Sequence, residues 1–452
     1  MLKGMSVAAT TLGCKVNQAE TDSMLDMLKA AGANIVEFDE KADIYIVNTC
    51  SVTNIADKKS RQMLHRARKM NPDGIVIAAG CYVQSAREIL EQDEAIDIVI
   101  SNNKKKSITE IVNDYINVRN NGENIADKDH EAMEYFVDIS RETEYEEMGG
   151  HVPVGHTRAY VKIQDGCNQF CSYCIIPYVR GRIRSRSQEA ILAEVSELAE
   201  AGIKEVVLTG IHISSYGKDK NNEGALIELI EAISKIKGIK RIRLGSLEPG
   251  IITEEFVERI SSNSKVCPHF HLSLQSGCDS VLKRMNRKYT CKQYFEKCDM
   301  LRKAYKSPAL TTDVIVGFPG ESEEEFAETV RYLTELNLYE MHIFKYSPRK
   351  GTVAAAMKEQ VAPEIKNERS DVLLKLAHDN KTAYEAQFEG CELEVLVEEV
   401  VKKDNKTYLR GHTERYMDIL IDVGDISMPE SFVNSFVYVT YTQNGGNLPL
   451  LL

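Results

Sequence analysis

The chain alternates short apolar runs with amphipathic segments over most of its length. In its first part, the strand-like runs SVAATTL, ADIYIVN and GIVIAA are separated by helix-like segments such as NQAETDSMLDMLKAAG, in which Gly32 is placed to end the helix. Strands that alternate with helices in this way are typical of a parallel sheet with crossover helices. We therefore predict an amino-terminal parallel-sheet domain over residues 1–118.

The middle of the chain repeats this alternation after an interruption. Residues 119–152 are polar, rich in acidic side chains and without a sustained period, which is typical of a linker. The alternation returns at Ala159, and its strand-like runs are RAYVKIQDG, KEVVLTG, RIRLGSLEP, HFHLSLQSG, TTDVIVGFPG and MHIFKYSP. Repeated strand–helix units predict a partial or complete (β/α) barrel over residues 153–383.

After residue 383 the pattern changes to short β-rich runs separated by turn residues. These runs are CELEVLVEEVV, KTYLRGH, YMDILIDV and SFVYVTYT. They predict a small β-barrel over residues 384–452. The predicted fold class is thus α/β, with an amino-terminal parallel sheet, a central partial (β/α) barrel and a carboxy-terminal small β-barrel.

Length and composition agree with a globular protein of several domains. The 452 residues are more than one hydrophobic core usually serves, and no apolar stretch approaches the roughly 18 residues that a membrane helix needs. The start MLKGMSVAATTLGC lacks the long apolar region of a signal peptide. We therefore expect a cytoplasmic protein without a membrane partner. The net charge of −12 disfavours a nucleic-acid partner, although local basic clusters override such a total.

Eleven cysteines in a chain of this kind indicate metal ligation or redox chemistry, because the cytoplasm keeps thiols reduced. Cys167, Cys171 and Cys174 stand in the run CNQFCSYC with the spacing C-x3-C-x2-C and no fourth cysteine nearby. A structural zinc site would need four ligands. Three cysteine ligands suit a four-iron cluster with one iron left open, and the alternative is an accidental spacing of three reduced thiols.

This run, placed after the strand-like YVKIQDG, resembles the radical S-adenosylmethionine superfamily. The resemblance implies that the three cysteines hold a [4Fe-4S] cluster whose open iron binds S-adenosylmethionine. It also implies that the reduced cluster cleaves this molecule to a 5′-deoxyadenosyl radical. Tyr173 matches the aromatic residue that the superfamily often has between the second and third ligands.

Cys14, Cys50 and Cys81 each follow a predicted strand, in TTLGC, IVNTC and IAAGC. Ligands of an open parallel sheet bind beyond the carboxyl ends of its strands, so this placement brings three distant thiols to one edge. They form either a second three-cysteine cluster site or three buried structural cysteines, since cysteine is often buried. The downstream C-x3-C-x2-C run favours the cluster.

The chain resembles the methylthiotransferase family over nearly its whole length. TLGCKVNQAET, NTCSVT and AAGCYVQ look like its amino-terminal domain, and the β-rich tail is similar to its TRAM domain. LTGIHISSYGKD, RLGSLEP, LSLQSGCDSVLKRMNRKYT, TDVIVGFPGE and YSPRKGTVAAAM look like its catalytic barrel. The resemblance implies two [4Fe-4S] clusters and S-adenosylmethionine as both methyl donor and radical source. It also implies an electron donor and a sulfur source for replacing a C–H bond by C–SCH3.

Candidate contacts to S-adenosylmethionine lie at predicted strand ends, where turn residues or surface ion pairs are equally acceptable interpretations. They are Thr209, Gly210, Ser246, Glu248, Gln275 and Arg287. His269 and His271 share one face of their strand, and we favour packing over ligation for both. The other five cysteines belong to no ligand spacing and are interpreted as structural or surface thiols.

The first cysteine motif separates branches of the family. GCKVNQ resembles the branch that acts on N6-threonylcarbamoyladenosine at tRNA position 37, whereas the isopentenyladenosine branch more often shows GCQMN and the ribosomal-protein aspartate branch GCPKN. The expected partner is therefore a tRNA with that nucleoside. The other two branches stay open, as does a redox-sensing iron–sulfur scaffold without turnover.

Two basic clusters fit an RNA partner. The first lies on a predicted helix and comprises Lys58, Lys59, Arg61, Arg66, Arg68 and Lys69. The second occupies every other position of residues 180–186 and comprises Arg180, Arg182, Arg184 and Arg186. Against RNA stands the tail from Tyr384 onward, where twelve acidic and five basic residues give a charge of −7. An acidic barrel suits a basic protein better, and the tail ends abruptly at NLPLLL.

Overall fold

The computed structural model describes residues 2–121, 135–149, 157–404, 406–424, 428–442 and 445–447. Residues 122–134 and 150–152 of the predicted linker lie outside the described residues, as does the NLPLLL end after its first residue.

The amino-terminal part is a five-stranded parallel sheet in the order β2-β1-β3-β4-β5. Its strands are β1 Ser6–Thr11, β2 Asn34–Val36, β3 Ile44–Thr49, β4 Ile75–Gly80 and β5 Ile98–Ile100. Its helices are α1 Lys15–Ala30, α2 Asn54–Met70, α3 Cys81–Ser85, α4 Arg87–Glu91 and α5 Ile108–Asn120. Strands β3 and β4 are buried throughout, because an apolar cluster covers each face of the sheet. The predicted parallel sheet is confirmed.

The central part is a partial barrel of six parallel strands with one short antiparallel edge strand, β7. Its strands are β6 Arg158–Asp165, β7 Arg184–Ser185, β8 Glu205–Gly210, β9 Arg241–Leu244, β10 His269–His271, β11 Ala309–Val316 and β12 Glu340–Lys345. Its helices are α6 Ile176–Val179, α7 Gln188–Glu200, α8 Ala225–Ser234, α9 Glu254–Ser261, α10 Asp279–Arg284, α11 Cys291–Ala304, α12 Glu323–Leu336 and α13 Pro363–Ala386.

Parallel bridges such as Leu247 with Leu272 join the two halves of this barrel, β6-β8-β9 and β10-β11-β12. Alternate strand residues, such as Val161 and Phe270, form a continuous apolar core with the surrounding helices. The residues between them on the strands, such as Lys162 and His271, are mostly polar. The predicted central barrel is therefore confirmed in its partial form.

The carboxy-terminal part is a small closed barrel in the order β13-β14-β15-β17-β16. Its strands are β13 Glu392–Lys403, β14 Lys406–Thr413, β15 Asp418–Asp422, β16 Phe436–Thr442 and β17 Gly445–Asn447. Alternate residues such as Val395 and Val439 fill its core. This finding confirms the predicted small β-barrel, which β17 closes.

The three parts are joined by hydrogen bonds from arginines. Arg349 of the central part donates to Ser51 and Asp57 of the amino-terminal part, at 2.8 and 2.7 Å. Arg241, at the start of β9, donates to the carbonyl oxygens of Glu394 and His412 in the small barrel, both at 3.0 Å. In the part of the chain that the structure describes, no helix has the length and apolar character needed to cross a membrane.

Candidate functional site

Cys14, Cys50 and Cys81, which we term the amino-terminal triad, lie at the carboxyl ends of β1, β3 and β4. The strand order 2-1-3-4-5 makes this edge the place where ligands of open α/β sheets bind. Cys14 is exposed, whereas Cys50 and Cys81 are buried. Burial raises the pKa of Cys50 to about 11, and the nearby Cys81 and Cys14 thiols act in the same direction. The strand-end placement predicted from the sequence is thus present.

Glycines leave the space that this triad occupies. Gly13 has φ +106°, and a Cβ there would stand 2.8 Å from the Cys50 Sγ. Gly80 has φ +97°, and a Cβ there would stand 2.4 Å from the Thr49 carbonyl oxygen. Only glycine meets both demands at these positions, the positive φ and the close approach.

Cys167, Cys171 and Cys174, which we term the barrel triad, lie in the loop that follows β6. Backbone hydrogen bonds shape this loop. The Cys167 amide donates to the Gly181 carbonyl, and the Cys174 amide donates to the Cys171 carbonyl within the loop, each at 3.0 Å. Burial, with the neighbouring Cys171 thiol, raises the pKa of Cys174 to about 12, and burial raises that of Cys167 to about 11. Near neutral pH these thiols hold their protons until a metal displaces them.

The two triads meet on one segment of chain, residues 166–181. Helix α6 follows Cys174 directly, and Cys81 packs against Ile175 and Val179 at this helix. The segment that carries the barrel triad therefore also packs against Cys81 of the amino-terminal triad.

An arginine donates a hydrogen bond to one thiol of each triad. The Arg180 Nε lies 3.2 Å from the Cys81 Sγ, and an Arg287 Nη lies 3.2 Å from the Cys171 Sγ. Carboxylates hold both guanidinium groups, Glu20 and Asp165 at Arg180 and Glu248 at Arg287. A guanidinium at this distance stabilises a thiolate.

Arg180 is fully buried in a charged network that spans two domains. Its guanidinium binds Glu20 of α1 and Asp165 of β6, and Lys105 and Lys162 also pair with Glu20. Burial alone would raise the pKa of Glu20, but the charges of Arg180, Lys105 and Lys162 outweigh it and hold that pKa well below its usual range. The network therefore fixes α1, which starts beside Cys14, against the barrel.

The donor sets fit clusters better than single metal ions. In the described ranges, the one group of three His, Cys, Asp or Glu ligand atoms that all lie within 4.8 Å of one another is His271, Asp313 and His342. Neither cysteine triad is that compact. A four-iron cluster attaches each cysteine to a different iron and so separates the sulfur atoms, whereas one ion draws its ligands together.

The residues expected to contact S-adenosylmethionine all lie at the carboxyl ends of β8, β9 and β10 or close by. Thr209 and Gln275 are buried, Ser246 is exposed, and a Cβ on Gly210 would stand 3.0 Å from the Gln164 carbonyl oxygen. Arg287, another of these candidates, donates to both oxygens of Glu248, at 3.0 and 2.9 Å.

The second basic cluster differs from expectation. Arg180, Arg184 and Arg186 are buried and cannot reach an RNA backbone. Arg180 binds Glu20 and Asp165, and Arg184 donates to the backbone carbonyls of residues 180 and 182. Arg186 binds Glu147 and Glu194. Only Arg182 of the four is exposed, and it lies over the Phe170 ring. On α2 most of the basic side chains are exposed, although Arg68 is partly buried against Asp97.

The barrel interior contains a polar group that the sequence pattern did not indicate as a unit. His271 accepts or donates a hydrogen bond with Thr311 at 3.0 Å, lies 3.4 Å from Asp313, and stacks on His342. Strand register explains the grouping, since β11 pairs with both β10 and β12. His269 is buried against Tyr416, in agreement with the packing interpretation. Of the remaining cysteines, four are buried and Cys391 is exposed.

A cavity of about 660 Å³ opens at Cys14, the one cysteine of the amino-terminal triad in its wall. All three parts of the fold contribute to its walls, including Cys14 and Lys15 of the first, Tyr160 of the second and Glu398 of the third. It is large enough for a small-molecule or nucleoside-sized ligand.

Known proteins resemble the chain over most of its length. Residues 161–333 match the Radical SAM superfamily, and residues 6–101 match the Uncharacterized protein family UPF0004. The chain is 39% identical to the threonylcarbamoyladenosine tRNA methylthiotransferase MtaB of Bacillus subtilis (strain 168), over 92% of this chain and 90% of that protein. It is 35% identical to the tRNA-2-methylthio-N(6)-dimethylallyladenosine synthase of Thermoanaerobacter pseudethanolicus, over 96% and 90%.

Among solved structures, the chain resembles the radical S-adenosylmethionine methyltransferase TsrM of Kitasatospora setae, determined with cobalamin and a [4Fe-4S] cluster bound. The TM-score is 0.56 at 15% sequence identity, over 76% of each chain. This similarity concerns the fold alone.

Proposed function

The chain belongs to the radical S-adenosylmethionine methylthiotransferase family, and on that premise we propose that it converts N6-threonylcarbamoyladenosine at tRNA position 37 to its 2-methylthio derivative. The observation that carries this proposal is the meeting of two separate cysteine triads on residues 166–181, beside a cavity that opens at Cys14. Sulfur insertion needs both a radical source and a sulfur carrier, and the two triads supply a place for each.

We assign one [4Fe-4S] cluster to each triad. When bound and reduced at the barrel triad, such a cluster supplies the electron that splits S-adenosylmethionine into methionine and a 5′-deoxyadenosyl radical. Arg287 and Arg180 donate to the ligand thiolates and offset their negative charge. The glycines at 13 and 80 keep space open around the amino-terminal triad.

The proposed binding surface for S-adenosylmethionine is the carboxyl edge of β8, β9 and β10. Glu248 orients Arg287 toward Cys171, and the Glu248 amide is held by the Ser214 hydroxyl at 2.9 Å. Gln275 has φ +79°, so the backbone turns sharply four residues after β10. Thr209, Gly210 and Ser246 complete this edge. The reaction also needs an electron donor and a sulfur source.

The substrate assignment is supported by the relative from Bacillus subtilis, whose name specifies threonylcarbamoyladenosine. For RNA contact we propose the exposed basic side chains of α2, together with Arg182. In the small barrel Arg410 is paired with Asp418, and the net charge of −7 from Tyr384 onward disfavours phosphate binding by this part of the chain.

Mass spectrometry of cells with and without this gene tests the substrate. In tRNA from the deletion strain we expect threonylcarbamoyladenosine without its methylthio group in place of the methylthio derivative. Restoring the gene should restore the methylthio derivative. Ribosomal proteins from the same cells should be unchanged. A methylthio group lost from isopentenyladenosine or from a ribosomal aspartate instead would contradict the assignment.

Gly13→Ala tests the amino-terminal cluster site. An alanine there would need φ +106° and would press its Cβ on the Cys50 thiol, a strain of roughly 1–3 kcal/mol before the clash is counted. We expect the iron content after anaerobic reconstitution to fall from about eight toward about four per chain.

Gly4→Ala is the matched control for that variant. Gly4 also has a positive φ, +88°, but a Cβ there meets nothing within 4 Å, so it imposes strain without a clash. We expect Gly4→Ala to keep its full iron content. Equal iron in both variants and the parent would show that Gly13 is not part of a cluster site.

A further inference from the structure

Lys15 stands where the three parts of the fold meet. It is the first residue of α1, follows Cys14 directly, and extends an exposed side chain into the cavity. Its Nζ lies 5.8 Å from the ring centre of Tyr160 on β6 and 5.7 Å from that of Tyr416, between β14 and β15. Two aromatic rings from two other domains therefore flank its ammonium group.

The other cations of the cavity wall are already neutralised. Arg158 pairs with Glu398 at 3.2 Å, and Lys162 pairs with Glu20 at 2.6 Å. Arg186 pairs with both Glu147 and Glu194. Among the described residues, no carboxylate oxygen lies within 4.0 Å of the Lys15 Nζ. Lys15 is thus the cavity-lining cation whose charge has no ion-pair partner in the described part of the chain.

The cavity wall also contains carboxylates, such as Glu147 and Glu398, but these are paired with other cations. A cation that faces the cavity with no carboxylate at ion-pair distance is complementary to an anionic ligand. Aromatic walls that restrict water strengthen the attraction between a cation and an incoming anion, because the local dielectric constant falls. The proposed substrate carries such an anion close to the reacting base, namely the carboxylate of its threonine. An isopentenyl group at the same place would carry no charge.

We propose that Lys15 binds the threonine carboxylate of the substrate nucleoside and thereby selects it over nucleosides with neutral substituents. This inference rests on the proposed function and extends it, since it names the group that recognises the substrate. Because Lys15 adjoins Cys14, the same contact holds the nucleoside beside the amino-terminal triad. Lys15 is here a specificity-determining residue, and no chemical step is assigned to it.

The test compares two anticodon stem-loop RNAs that differ by one charge. One carries threonylcarbamoyladenosine at position 37, and the other carries the same nucleoside with the threonine carboxylate converted to an amide. We expect Lys15→Met to lower kcat/KM for the acid RNA by about 10- to 100-fold, the loss typical of a hydrogen bond to a charged group. The amide RNA should be affected little, and Lys15→Arg should retain most of the activity on the acid RNA.

Lys29→Met is the matched control, because Lys29 is an exposed lysine at the other end of α1. Iron content, 5′-deoxyadenosine formation without RNA, and the KM for S-adenosylmethionine should be the same in all variants. A raised KM for S-adenosylmethionine in Lys15→Met would assign the cation to that carboxylate instead and overturn the inference. An equal loss of kcat/KM on the acid and amide RNAs would show that Lys15 has a structural role and does not recognise the carboxylate.

Binding measured by fluorescence anisotropy separates this inference from the proposed function. A parent enzyme that modifies neither RNA would defeat the proposed function. The affinity difference between acid and amide RNA, and its disappearance in Lys15→Met, would still support carboxylate recognition. An active parent enzyme with unchanged kcat/KM and affinity in Lys15→Met would refute the inference alone.

Discussion

Replacing all three cysteines of the amino-terminal triad by alanine (C14A/C50A/C81A) is expected to lower the iron content from about eight to about four per chain and to abolish product formation. Formation of 5′-deoxyadenosine should continue, because the barrel triad and the proposed S-adenosylmethionine surface at the carboxyl ends of β8 to β10 are untouched. Iron analysis and chromatography of the reaction mixture measure both quantities on one sample.

The reciprocal variant, C167A/C171A/C174A, should also keep about four irons but form no 5′-deoxyadenosine. Cys391→Ala removes an exposed thiol of the small barrel and should change neither quantity. An iron content near four per chain in the parent that is unchanged in C14A/C50A/C81A would show that the amino-terminal triad holds no cluster. Clusters without any 5′-deoxyadenosine in the parent would favour the redox-sensing scaffold.

Much of the fold follows from local pattern. SVAATTL and GIVIAA become β1 and β4, because runs of this kind are stable only when both faces of a parallel sheet are covered. The cysteines after these strands come together for a topological reason, since parallel strands end at the same edge. The placement of the amino-terminal triad was therefore predictable from the sequence once the strands were identified.

The partners of the charged residues were not predictable in this way. The alternation of arginines along residues 180–186 suggested one exposed face for RNA, but Arg180 is neutralised by Glu20, which is 160 positions away in the chain. Docking of α1 on the barrel brings that carboxylate to it. The His271, Asp313 and His342 group likewise depends on the register of three strands. A charge is visible in a sequence, whereas its counter-charge depends on tertiary packing.

Arg180→Met is expected to destabilise the protein by about 3 kcal/mol, because removing one partner from a buried ion pair leaves the other charge uncompensated. The variant loses the bonds to Glu20, Asp165 and the Asn17 side chain, as well as the donor to Cys81. Lys105 and Lys162 still neutralise Glu20, which places the loss at the lower end of the range for such pairs. Thermal and denaturant unfolding of the iron-free protein measure the change.

Arg182→Met is the matched control, because Arg182 lies two residues away but is exposed. Its loss should change the unfolding free energy by no more than about 0.5 kcal/mol, the usual range for surface substitutions. Reconstituted Arg180→Met should in addition bind less iron at the amino-terminal triad, whereas Arg182→Met should bind the full amount and weaken only RNA binding. An Arg182→Met variant less stable than Arg180→Met would contradict the stabilising role of the buried network. If Arg180→Met weakened RNA binding with stability and iron content unchanged, Arg180 would be an RNA contact instead.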